Sequence, residues 1–501
     1  MKAKKVLSLV LASAMALTLG ACGSAPAAST AASAAASTAA STAASTAAST
    51  AASTAESAAA SEAESVAEST TTSVTTMTAG NSTDAAHTIN LWTFTDEVPK
   101  MVQKYIDANP DFGYSVSSTI IATTDGAYQP ALDQALAAGG DDAPDMYCAE
   151  SAFVLKYTQG DAAEYAAPYA DLGIDVAKET KDAAIAQYTM DIGTRPSDKQ
   201  LVGLGYQATG GAFIYRRSIA KDVFGTDDPE KIAAEVGPGW DKFFDAASKL
   251  KAKGYGIVSG DGDIWHAVEN SSDQGWLVDG KLHIDPKREA FLDYSKKLKD
   301  NGYSNDTKDW DDAWFADMKG EGQQPIFGFF GPAWLINYTL APNCGGEKAG
   351  EGTYGDWAVC TSPVGFFWGG TWVLANKDSA KKEAVGKLID WITLNCTKDG
   401  LQYAWANGTM NENGTKDCVA SGTVMGMSDG SIDFLGGQNM FDVFVPANQY
   451  AKGTNLTQYD ESINTIWRDQ VREYSAGNKT KEQTLADFKQ NVSDNLGIEA
   501  E

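Results

Sequence analysis

Residues 87–148 read HTINLWTFTDEVPKMVQKYIDANPDFGYSVSSTIIATTDGAYQPALDQALAAGGDDAPDMYC, and the rhythm of this stretch decides the fold. His87–Phe94 alternates apolar and polar residues, the period of a half-buried strand. Pro99 starts a helix with Val102, Tyr105 and Ile106 on one face, and Asn109-Pro110 stops it. Tyr114–Ile121 is a second strand. Tyr128–Ala138 is a second helix, with Leu132, Ala135 and Leu136 inward and Gly139-Gly140 at its end. Pro144–Cys148 is a third, short strand. Strand, helix, strand, helix, strand at this spacing requires parallel pairing, so the fold class is an α/β layer fold. Ligands of such sheets gather beyond the carboxyl ends of the strands. That places Trp92 to Glu97 and Asp145 to Glu150 on the ligand-facing edge.

Further along, Lys199–Tyr206 is another strand. Gln207-Ala208-Thr209-Gly210-Gly211 interrupts it before Ala212–Arg216 resumes, as a chain does when it crosses between lobes. Lys242–Lys251 is a helix with Phe243, Phe244, Ala247 and Leu250 inward. Ile257–Val258 reads as a strand, Gly260–Trp265 as a loop, Phe291–Lys299 as a helix and Ile326–Phe330 as a strand. Asp356 to Asn376, DWAVCTSPVGFFWGGTWVLAN, holds two apolar runs, Trp357–Cys360 and Trp372–Ala375, read as buried strands around a crossing. Gly369 and Gly370 let the backbone approach a ligand closely. The indoles of Trp368 and Trp372 offer flat apolar faces of the kind a sugar ring stacks on. Each is equally a plausible core residue, and the pattern leaves both readings open. Lys381–Asn395 is a helix, and residues from Ser428 onward read as largely helical and polar.

The amino terminus has a different character. Lys2, Lys4 and Lys5 precede an apolar run from Val6 to Leu19 and then small residues, the make-up of a secretory signal at residues 1–21. The run is too short to be a good membrane span, and no later stretch is long and apolar enough to be one. Gly23 to Ala86 is rich in Ala, Ser and Thr, with S-T-A-A repeating between Ser37 and Thr54 and no aromatic ring before Trp92 except that of His87. Such a segment buries too little apolar surface to offset its ordering entropy, so an unstructured tether is expected over residues 22–86. As a flexible coil it would reach roughly 40–50 Å.

The remaining body, about 415 residues, is long enough for two domains. The net charge is −27, and removal of a signal carrying three Lys takes it to about −30. That acidity argues against nucleic acid or an anionic membrane surface as a partner. Beyond Cys22 there are Cys148, Cys344, Cys360, Cys396 and Cys418, none in a CxxC pair, so a zinc or thioredoxin-type site has no support. For an exported chain, Cys344–Cys360 and Cys396–Cys418 are the expected disulfides, each closing a short loop, with Cys148 left over.

Enzyme motifs fail on inspection. Gly426-Met427-Ser428-Asp429-Gly430 matches GxSxG, but the hydrolase order needs a later His, and His87, His266 and His283 all precede it. Gly203-Leu204-Gly205-Tyr206-Gln207-Ala208 matches a loose dinucleotide fingerprint, but a strand follows instead of a helix. No Walker loop, EF-hand or HExxH occurs, and no cofactor or metal is expected. Two carboxylates would suffice for a glycosidase, so a carbohydrate-active enzyme remains an alternative, as does a non-catalytic surface adhesin.

Trp92-Thr93-Phe94-Thr95-Asp96-Glu97, Ala143-Pro144-Asp145, Gly203–Tyr215, Gly239–Phe244, Gly331-Pro332-Ala333-Trp334 and Gly369-Gly370-Thr371-Trp372 occur in this order. Together they resemble the family 1 extracellular solute-binding proteins, the carbohydrate-binding lipoproteins of Gram-positive ABC importers. Leu19-Gly20-Ala21-Cys22 resembles a lipobox, which would make Cys22 the acylated first residue of the mature chain. The resemblance covers the body after His87. It implies two α/β lobes of the periplasmic-binding-protein type, residues 87–206 with 364–425 and residues 212–358 with 431–501, joined by hinge crossings with sugar in the cleft. By the same resemblance Trp92, Glu97, Asp145, Glu150, Gln207, Trp265, Trp334, Trp368 and Trp372 would face that sugar. Glu97 could instead be a charge favoured at a helix N-terminus, and Asp145 could hold a loop or hinge. The sequence departs from several members in having no Trp or Arg just after Cys148. The implied partners are a sugar or oligosaccharide, importer permease subunits and a membrane reached only through lipid, with the protein a monomer on the outer face of the cell membrane.

Overall fold

In the computed structural model, residues 73–82, 84–123, 126–410 and 413–500 are described. The signal segment, Cys22 and the expected tether up to residue 72 lie outside them. Alternating burial along residues 87–148 does produce parallel strands. β1 (Val74–Ala79), β2 (Thr88–Thr93), β3 (Ser115–Ile121), β4 (Met146–Glu150) and β5 (Gly203–Gly205) lie in one sheet. With β11 (Thr371–Ala375) its spatial order is β1-β3-β2-β4-β11-β5. β2 pairs in parallel with both β3 and β4, linked by the helices Glu97–Ala108 and Tyr128–Ala138. Period-two alternation sends Leu91, Val116, Met146, Cys148 and Val373 to one face and Tyr147, Ala149, Trp372 and Leu374 to the other.

The structured chain begins earlier than residue 87. β1 pairs antiparallel with β3, Val74 opposite Ile121 and Ala79 opposite Val116, and closes an edge of the sheet. The Thr and Val of this segment suit a strand, and the low-complexity sequence before it masked them.

A second lobe is built on an antiparallel three-stranded sheet. It contains β6 (Ala212–Arg216), β9 (Gly328–Gly331) and β10 (Trp357–Cys360), in the order β10-β6-β9. A small hairpin, β7 (Leu277–Val278) with β8 (Lys281–Leu282), stands apart from it. Around Phe213, Tyr215 and Phe330 pack the helices Trp240–Ala252, Gly262–Ser271, Pro286–Asp300, Asp460–Ser475 and Lys481–Leu496. The lobes are joined by crossings laid side by side. Gly211 N donates to Phe366 O (2.8 Å), and Trp368 N donates to Thr209 O (3.1 Å). Residues 417–420 run against the first crossing through the Gln207–Val419 bridge, and further on Phe434 stacks on Trp357 in the second lobe (6.2 Å, 14°).

The expected disulfides do not form. All five described cysteines are free thiols. Along β10, Trp357 and Val359 face one apolar cluster, which includes Cys344, while Ala358 and Cys360 face the other. Alternation therefore puts Cys344 and Cys360 on opposite sides of a sheet. Cys344 Sγ instead donates to Ala341 O and Gly346 O, 3.1 Å each. Cys418 is buried and Cys396 half-buried, and the two are likewise unbridged. Among the described residues no helix is long and apolar enough to cross a membrane.

Candidate functional site

Strand direction brings the site together. β2 and β4 end at one edge of the large sheet, and antiparallel β11 starts there, with Thr371 opposite Glu150 and Trp372 opposite Gly205. That edge therefore collects Glu97 just beyond β2, Glu150 at the end of β4, Gly370-Thr371 and, past β5, Gln207. In the second lobe Ala212, Gly331 and Cys360 mark the corresponding edge, and Trp334 lies three residues beyond Gly331. Between the two edges is a cleft of about 560 Å³.

Aromatic rings cover one side. Trp334 and Trp368 meet at 4.8 Å, and the Trp334 indole N–H donates to Trp368 O (3.0 Å). Trp310 lies nearly parallel to Trp334 (9°, 6.3 Å) and is 45 % exposed. Its backbone sits at φ 71°, a strained conformation for a large side chain. The neighbouring Asp309 is ion-paired with Arg468 and lies 3.5 Å from Arg472, which fixes the loop that presents the ring. Tyr338 stands 68 % exposed on a π-helical turn, Ile336–Leu340. The glycine pair is required here. Gly369 has φ 75°, and a Cβ on it would come 3.1 Å from the Trp334 indole nitrogen.

The other side is acidic. Glu97 accepts a hydrogen bond from Tyr206 Oη, and burial, with the charges of Asp417 and Asp96, pushes its carboxyl up to about 8. Asp417 accepts from Gln207 Nε2 (3.1 Å) and its own neighbour Cys418 N (2.7 Å), and burial raises it to about 6. Glu150 accepts from Ala152 N (2.7 Å) and is raised by burial to about 7. Glu461 completes the carboxylates of the cleft, and neither Lys nor Arg is among the residues lining it. Such a surface presents acceptors to hydroxyl or amine donors and rings to apolar faces.

Of the nine residues expected to face a ligand, Glu97, Glu150, Gln207, Trp334 and Trp368 line the cleft. The other four are corrected. Trp372 is fully buried, its N–H donating to Thr189 O (3.2 Å). Trp265 lies on the helix Gly262–Ser271, not in a loop, and packs on Phe291 (4.9 Å). Trp92 is half-buried against the core behind the large sheet. Asp145 sits before β4, bound by Asn90 N (2.8 Å), Ser379 Oγ (2.6 Å) and Lys381 Nζ (2.8 Å). It holds a loop to the sheet. Sequence reasoning missed Trp310, Tyr338, Asp417 and Glu461. Trp310 carried a usable signal, since a lone indole in K-D-W-D-D has no apolar neighbours to join in a core.

The profile of the bacterial extracellular solute-binding proteins matches residues 92–395. No curated protein sequence matches the chain. Among solved structures, a family 1 extracellular solute-binding protein superposes with TM-score 0.66 at 18% identity, over 81% of this chain and 99% of that one. The galacto-N-biose/lacto-N-biose I-binding protein of an ABC transporter from Bifidobacterium longum, solved with lacto-N-biose, gives 0.59 at 16% identity over 83% and 98%. An ABC substrate-binding protein from Listeria monocytogenes, in complex with cycloalternan, gives 0.58 at 16% identity over 82% and 99%. A profile match over more than half the chain, on this two-lobed fold, places the chain in the family of bacterial extracellular solute-binding proteins.

Proposed function

We propose that the protein captures a sugar or oligosaccharide between its lobes and delivers it to the permease of an ABC importer. The observation that carries this reading is the cleft itself. Trp310, Trp334 and Trp368 cluster on one side, Glu97, Asp417 and Gln207 lie on the other with Trp405 donating to Asp417, and no basic side chain is among the lining residues. A sugar offers C–H patches to the rings and hydroxyls to the acceptors. Structures of similar fold were solved with saccharides bound, which supports the same ligand class here. The lipobox-like Leu19–Cys22 supports attachment through a lipid on Cys22 at the outer face of the membrane, with the Ala/Ser/Thr-rich segment as tether.

Titration with a panel of mono- to tetrasaccharides, read by calorimetry and thermal shift, tests the reading. Binding of at least one member should raise the melting temperature without product. It should also shrink the radius of gyration in solution scattering as the lobes close. An unchanged profile and no stabilisation across the panel would sink it. Glu97 and Asp417, two buried carboxyl groups lining the same cleft, are the groups that a second reading as a glycoside hydrolase would use. Release of reducing ends from a bound oligosaccharide would establish that reading instead.

A further inference from the structure

Beside the cleft lies a chamber of about 90 Å³, sharing Glu150, Trp368, Gly369 and Glu461 with it. Its remaining wall includes His266, Glu269, Asp460 and Asn464, so four of its lining side chains are carboxylates and the imidazole is its one basic group. His266 is already engaged, stacked on Trp368 (4.5 Å, 21°) with Nδ1 3.3 Å from Glu269. Glu269 also accepts from Asn464 Nδ2 (2.6 Å). Burial works against its charge, yet His266, Arg288 and Asn464 hold it below the usual carboxylate range.

Asp460 is different. It is 5 % exposed, its Oδ1 accepts from Thr457 Oγ1 (2.6 Å), and its Oδ2 is buried with no hydrogen-bond partner. Burial, and then the charge of Glu269, pushes it up to about 7, and burial raises Glu150 to the same value. Outside the wall, Arg288 acts on Asp460 through its charge alone, which partly offsets the rise, while its guanidinium donates to Gln274 O (2.9 Å) and lies over the Trp276 ring (4.6 Å). A buried carboxylate oxygen left unpaired is costly, and a bound donor carrying positive charge offsets that cost. A bare metal ion is a poor candidate, because no group of acidic, His or Cys side chains among the described residues is arranged to hold one. The chamber has space on the order of a few water molecules, enough for a substituent and too little for a second ring.

We propose that the ligand of the cleft is a saccharide bearing a free basic amine, with its ammonium seated in the chamber against Asp460 and Glu150 while its ring stacks at Trp368. This rests on the sugar-binding reading and narrows it to amino sugars. The ammonium adds a full positive charge at the Asp460 carboxyl group, beyond the field of Arg288, which an N-acetyl group or a hydroxyl at the same position cannot do.

The test uses the full-length chain and matched gluco- and galacto-configured mono- to tetrasaccharides in three series: free amine, N-acetyl and hydroxyl. Calorimetry at pH 7 should show the amine member of the best-binding set held at least tenfold more tightly than both counterparts. In Asp460→Asn that preference should fall below threefold, with Glu150→Gln weakening it less. Equal or weaker binding of the amine series would overturn the amino-sugar inference and leave the sugar reading standing, the chamber then holding water alone. No binding by any of the three series would overturn both. The wild-type comparison needs no variant to fold.

Discussion

The two lobes deliver their cleft-lining residues by different means. The first places Glu97 at the start of a helix, Glu150 at the end of β4 and Gln207 on a crossing bridged to Val419, so these polar groups are held by backbone pairing. The second places Trp310, Trp334 and Tyr338 on a loop with positive φ, on the turn after Pro332 and on a π-helical turn. Three of the four carboxylates of the cleft lie on the first lobe, and the exposed rings lie on the second. The acceptors therefore form a fixed register and the rings an irregular surface. The division predicts that damage to the first lobe shows first in stability and damage to the second shows first in affinity.

The largest effect should come from Trp372→Ala. Its ring is fully buried behind the large sheet, and such truncations cost about 3–5 kcal/mol. Denaturant unfolding should show that loss. A loss under about 1 kcal/mol would mean the ring is not part of the core, and the contrast between lobes would fail. Next, Trp334→Ala should weaken ligand binding tenfold to a hundredfold, about 1.4–2.8 kcal/mol, measured by calorimetry on the best saccharide of the panel. Unchanged affinity would remove the aromatic wall from recognition.

The acidic wall gives a pH signature. Glu97 is raised from an ordinary 4.5 to about 8, chiefly by burial. Between those values the folded chain binds more protons than the unfolded chain, so this group's contribution to stability falls as pH rises. The loss begins near pH 4.5 and is complete above about 8. Melting temperature followed from pH 5 to 9 should decline over that window, and Glu97→Gln should flatten the decline. A slope unaltered by the substitution would mean that Glu97 titrates normally and is solvated.

The first lobe was legible because its information is periodic. Residues 87–148 name their strands, helices and order, and the carboxyl ends of β2 and β4 then locate Glu97 and Glu150 without coordinates. The second lobe was less legible because its sheet is short and antiparallel and its helices hide their rings. Trp265 looked like a loop residue beside Gly260 and Asp261, yet the helix starts at Gly262 and turns it inward. Asp417 and Asp460 carry no local signal at all, since their importance comes from partners more than 50 residues away in sequence, such as Gln207 and Glu269. The cysteines misled for the opposite reason: short loops suggested bridges, while strand alternation sends Cys344 and Cys360 to different faces.

The smallest effect is the sharpest test of the irregular wall. Trp310→Ala and Trp310→Gly remove the same ring, so both should lose affinity equally. They differ in what the backbone requires. At φ 71° alanine keeps a strain that glycine escapes, of order 1–2 kcal/mol. The greater freedom of glycine in the unfolded chain offsets part of that gain, leaving glycine more stable by about 1 kcal/mol. If alanine proves as stable as glycine, the loop relaxes once the ring is gone. The clamp of Asp309 on Arg468 then does not impose the conformation, and Trp310 is a flap that settles on its ligand. If glycine is the more stable, the loop is rigid, its strain is held by the Asp309 clamp, and the ring is a plate set in place before the ligand arrives.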